Sequence, residues 1–125
     1  MSDLRLVELP AASEAGQELV KPLVDVVSTL DWSEPPKDLS GPLQALWWLK
    51  KGGLVVGPEW EKAHAIVQTA EGVQAFDWIH ALMHWIEADF GNADYWYRRA
   101  GRKRSRPSVS AEWQFMVDEL SKPAD

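Results

Sequence analysis

His80, His84 and Glu87 stand in the order H-x-x-x-H-x-x-E, and His64, the remaining histidine of the chain, lies upstream of them. On a helix, residues four apart share one face, so both imidazoles and the following carboxylate address one region. Imidazole nitrogens and carboxylate oxygens are the donors that a divalent transition metal takes from a chain without cysteine. The same groups can act as general acid and base. The spacing lacks the central Glu of H-E-x-x-H, so it names no metalloprotease. A plainer alternative pairs His80 with Glu87, and His84 with Asp77 or a neighbouring backbone group, as a hydrogen-bonded polar face. Downstream, Asp89 and Asn92 bracket a turn and suit helix capping. Arg98 and Arg99 close the next helix, where cations suit the negative end of the dipole. They also offer a fork for a carboxylate or phosphate beside Tyr95, with Trp96 as a wall.

The elements that position these residues read as helices. Leu19, Leu23, Val26, Val27 and Leu30 recur at helical steps from Ser13, with a bend or fresh start expected at Pro22. Pro42 opens a second helix that Gly52–Gly53 stop, and Pro58 opens a third that closes by Gly72. The strongest helix spans 73–89. At 100° per residue its polar side chains, Asp77, His80, His84 and Glu87, fall on a stripe about 80° wide. The rest is apolar, so this helix must be largely enclosed. A helix over 91–101 follows, with Asn92 as a candidate cap and Gly101 as its stop. A last one is capped by Ser108 or Ser110, with Trp113, Met116, Val117 and Leu120 on one stripe. The fold class expected is all-α, five or six short helices in antiparallel hairpins. Residues 1–12 would form an extended arm, 13–121 one helical domain and 122–125 a tail.

Composition narrows the functions further. Cysteine is absent, which excludes disulfides, thiolate metal sites and a cysteine nucleophile. No signal-peptide pattern and no apolar run near the ~18 residues that span a bilayer occur, so a cytoplasmic protein without a membrane partner is expected. Eight Trp each bring an N–H that needs an acceptor, which points to some of them lining a groove. Six of the 13 basic residues, Arg98, Arg99, Arg102, Lys103, Arg104 and Arg106, are clustered, against 19 acids elsewhere. A pI near 5.0 and the lack of a recognised motif disfavour nucleic acid. The basic run is expected to be solvated or self-paired, touching the acidic body of a neighbouring subunit in a homo-oligomer. No P-loop, G-x-G-x-x-G or G-x-S-x-G occurs.

Two resemblances add to this. Trp60 falls on Phe90, Ala63 on Ala93 and Ile66 on Trp96 at an offset of about 30 residues, and Asp89, Ala93, Tyr97 and Ala100 match A-x-x-x-Y/F-x-x-A after an acidic turn. This resembles the tetratricopeptide (TPR) hairpin, whose period is about 34 residues, and implies TPR-like tandem hairpins. The segments WEKAHAIVQ and WIHALMHWIEADFGNADYWYRRAG also resemble a family of small uncharacterised bacterial and fungal proteins with the pattern W-x-H-x-x-x-H-R-x-E-x-D-x-x-N-A-x-Y-W-[FY]-R-R-x-G. That resemblance implies weight on Trp60, His64, Gln68, Trp78, His80, His84, Glu87, Asp89, Asn92, Ala93, Tyr95, Trp96, Arg98 and Arg99. It departs at Trp85, where the pattern has Arg.

The expected function is a binding module. Its Trp-walled groove, lined by His64, His80, His84, Glu87, Tyr95 and Arg98 or Arg99, would take a small polar or anionic ligand or a protein segment. The alternative is a small enzyme in which His80, His84, Glu87 and His64 ligate a divalent transition metal or serve as acid and base. A third is a structural or assembly protein. No cofactor other than that metal is predicted.

Overall fold

The computed structural model describes residues 24–122, and among them every regular element is helical. After helical residues 24–28 come α1 (Gly41–Lys51), α2 (Pro58–Gln68), α3 (Gln74–Ile86), α4 (Phe90–Ala100) and α5 (Val109–Leu120). The N-terminal arm, the start of the helix expected from Ser13, its bend at Pro22 and the tail from 123 lie outside the described residues.

Local signals explain where the helices begin and end. The Ser40 hydroxyl accepts from the Leu43 N–H, with Pro42 in the first turn. Glu59 and Glu61 occupy the first turn of α2, where acids favour the dipole. The helix from Phe90 is capped by Asp89, not Asn92, because Ala88 turns the chain one step earlier at φ 62°. That helix ends at Gly101 in the left-handed conformation, which glycine adopts without strain. Ser108 caps α5.

From α1 to α4, consecutive helices run antiparallel. Gly52 faces Glu59 and Trp48 meets Lys62 between α1 and α2. Trp60 reaches Met83 and His64 reaches His80 between α2 and α3. Gln74 binds the Ala100 carbonyl while His80 stacks on Trp96 between α3 and α4. The α3 helix packs against all four others, with Trp78, Ile79, Ala81, Leu82 and Met83 inside the core. Ala63 of α2 and Ala93 of α4 are fully buried, small residues that let each helix pack closely into the core. The repeat holds at these alanines but not at its aromatics: Trp60 is buried and Phe90 is 47 % exposed.

Buried indoles find acceptors within the core. Trp47 donates to Thr29 Oγ1, Trp60 to the Met83 carbonyl, Trp78 to Glu112 Oε2 and Trp113 to the Leu46 carbonyl. These four therefore need no groove to satisfy them. Three arginines of the basic run lie against their own chain. Arg102 lies 3.9 Å over Trp78 and Arg106 3.8 Å over Phe115. Arg104 covers Trp85 and Phe90 and pairs with Asp94 at 3.4 Å. Guanidinium planes stack readily on such rings.

Candidate metal centre

The Trp60 indole N–H clamps the last turn of α3 at 3.1 Å from the Met83 carbonyl. That contact sets α2 beside the C-terminal half of α3, one turn before His64 and level with His84. The result is an imidazole cluster. His64 Nε2 and His80 Nε2 are 3.2 Å apart, and one ligand nitrogen from each of His64, His80 and His84 lies within 4.8 Å of the others.

The rings are held by stacking. Trp60 lies flat on His64, with centroids 5.0 Å apart at 14°. His80 is stacked on Trp96 at 4.0 Å and on His84 at 4.9 Å, both near 20°. His80 is 4 % exposed, while His64 and His84 are half-buried and reach the surface. Outside this stack, Arg99 sits 4.9 Å over Trp96 and donates to the Tyr95 hydroxyl at 3.4 Å.

Carboxylates meet the cluster on its open side. Glu87 Oε2 is 2.6 Å from His84 Nδ1. Asp89 lies within ligand distance of His84 and Glu87. Its carboxylate is engaged with Asn92, through the side-chain amide at 2.8 Å and the backbone N–H at 3.3 Å. Those bonds hold the Asp89 carboxyl below the ordinary carboxylate range, the amide contributing most.

The plainer pairing of the polar stripe is corrected here. Glu87 binds His84, not His80, because it follows His84 by three residues on the same face. Asp77 turns away from both histidines. It is buried, accepts from the Gly72 N–H at 3.0 Å and stands 4.0 Å from Arg99 Nε. His80 has the Trp96 face and His64 as its neighbours instead.

Burial is the main influence on His80. It lowers the pKa to about 4, with the neighbouring His84, His64 and Arg99 charges acting in the same direction. His80 is thus neutral at pH 7 and keeps a lone pair for a ligand or a hydrogen bond. Its Nδ1 is buried with no hydrogen-bond partner.

His64, His80, His84, Glu87 and Asp89 thus converge, with Trp96, Tyr95 and Arg99 layered beside them. Asn92 touches this group only through Asp89, and exposed Arg98 takes no part in it. Two cavities lie elsewhere: one of about 420 Å³ beside Asp25, Ser40 and Ser121, and one of about 450 Å³ along the loop from Trp32 to Lys37. A buried acid not foreseen from the sequence is Glu112, whose Oε2 accepts from both Trp78 Nε1 and the Tyr97 hydroxyl. Its place on the α5 face shared with Trp113 and Met116 was the available signal.

No family model, curated protein or solved structure matches the chain. No helix among the described residues is long and apolar enough to cross a membrane.

Proposed function

We propose that the protein binds one divalent transition metal ion through His64, His80 and His84. The carrying observation is the 3.2 Å between His64 Nε2 and His80 Nε2 with His84 in reach. Two imidazole nitrogens bound to a tetrahedral zinc at about 2.05 Å stand about 3.3 Å apart. The same spacing suits one N–H···N hydrogen bond in the metal-free chain, so loading replaces a shared proton with an ion and needs little movement. The low His80 pKa supports this reading, because a ligand imidazole must be neutral. So does Glu87, which buttresses His84 as an outer carboxylate.

The expected groove narrows to an ion-sized site, since stacked rings occupy the space between α2, α3 and α4. His80 lacks an outer partner at Nδ1. A missing outer partner weakens binding by about 10–100-fold, so affinity should fall below that of a fully buttressed centre.

Equilibrium dialysis of the untagged chain against Zn²⁺, with metal counted by emission spectrometry, tests the proposal. The expected result is about one zinc per chain, lost in His80→Gln and strongly weakened in His64→Ala, with helical circular dichroism retained. Wild type that takes up no more zinc than His80→Gln would refute it.

A further inference from the structure

We propose that an ion on these imidazoles keeps its fourth coordination position for an exchangeable water or a small anion, with Glu87 on His84 and off the ion. This rests on the metal reading above and adds the ligand class of the site. Two carboxylates come within reach of His84, and both are engaged. Glu87 Oε2 is bound to His84 Nδ1 at 2.6 Å, the arrangement that orients a ligand imidazole from behind. Asp89 is occupied through Oδ1 by the Asn92 N–H and through Oδ2 by the Asn92 amide, as the cap of α4. The remaining ring neighbours, Trp60 and Trp96, have no lone pair to offer an ion.

The open position faces outward. His84 has a side chain 13 % exposed and Glu87 one 30 % exposed, whereas His80 closes the inner side. Stacked rings occupy the space around the three imidazoles, so the exchangeable ligand is small. Three neutral imidazoles leave the full dipositive charge on the ion. In that coordination a bound water ionises near pH 7, and an anion competes with it. The site is therefore of the open, reactive class and not of the closed, structural one.

Cobalt reports this directly, because its visible bands follow the number and kind of ligands. The chain is loaded with Co²⁺ and titrated with sodium azide, beside Glu87→Gln. The expected result is a saturable change in the bands of wild type, kept in Glu87→Gln with Co²⁺ affinity lowered about 10–100-fold. Bound Co²⁺ whose spectrum ignores azide overturns the open position and leaves the metal reading standing. A resting spectrum that changes in Glu87→Gln as strongly as azide changes wild type puts Glu87 on the ion and also overturns it. Failure to bind Co²⁺ at all removes the metal reading itself.

Discussion

The His80 ring lies between Trp96 and His84 in the interior, where a positive charge loses its hydration and meets other basic groups. The native pKa of about 4 against an ordinary 6.5 fixes the sign of its effect on stability. Above pH 6.5 both native and unfolded chains carry a neutral His80, and no difference arises. As pH falls from 6.5 towards 4 the unfolded chain takes up the proton and the native one does not, so stability is lost across that window. The loss amounts to up to about 3 kcal/mol from this residue, at about 1.4 kcal/mol per pKa unit. Urea unfolding of the metal-free chain between pH 7.5 and 4, compared with His80→Gln, checks it. The difference between the two curves should be flat above neutrality and decline below it. Parallel curves would show that His80 titrates as it does in water.

Among the elements, α3, α4 and α5 are tied by one buried carboxylate. Glu112 on α5 accepts from Trp78 of α3 at 3.0 Å and from Tyr97 of α4 at 2.9 Å, and its proximity helps burial push the Tyr97 hydroxyl pKa upward. Glu112→Ala strands two buried donors, each worth about 1–3 kcal/mol when unsatisfied, so a loss of about 2–6 kcal/mol is expected. Glu112→Gln keeps a carbonyl acceptor and should lose clearly less, as measured by denaturant midpoint. Equal losses would mean that volume, not hydrogen bonding, holds this junction. The same junction shows what a sequence conveys. Helical period, Pro42, Gly101 and Ser108 announce α1, α4 and α5, because capping and backbone freedom are local properties. The period also put His80 and His84 on one face of α3. It could not say that Asp77 leaves that face for Gly72, nor that Glu112 meets two donors, since partners are set by where helices cross. The basic run reads as charge in one dimension. Only folding puts Trp78 and Phe115 beneath Arg102 and Arg106.

Across the whole molecule, the proposed ion would link two helices at one end of the bundle, with His64 from α2 and His80 and His84 from α3. The unfolded chain does not hold His64 against His80 and His84, so binding favours the native state by linkage. At free zinc about 100 times the dissociation constant the gain is about 2.7 kcal/mol. For a chain of 125 residues that raises Tm by about 5–10 °C. Thermal unfolding followed by circular dichroism, with and without Zn²⁺, is the measurement. His64→Ala removes the only imidazole that α2 contributes, leaving a pair one turn apart on α3. Such a pair reinforces a single helix and no longer joins two, so most of the zinc-dependent shift should vanish. The metal-free Tm should fall only modestly, because half-buried His64 gives up one stacking contact on Trp60 and one hydrogen bond to His80. An undiminished zinc shift in His64→Ala would mean that the ion acts through some other face, and the bridge between α2 and α3 would have to be abandoned.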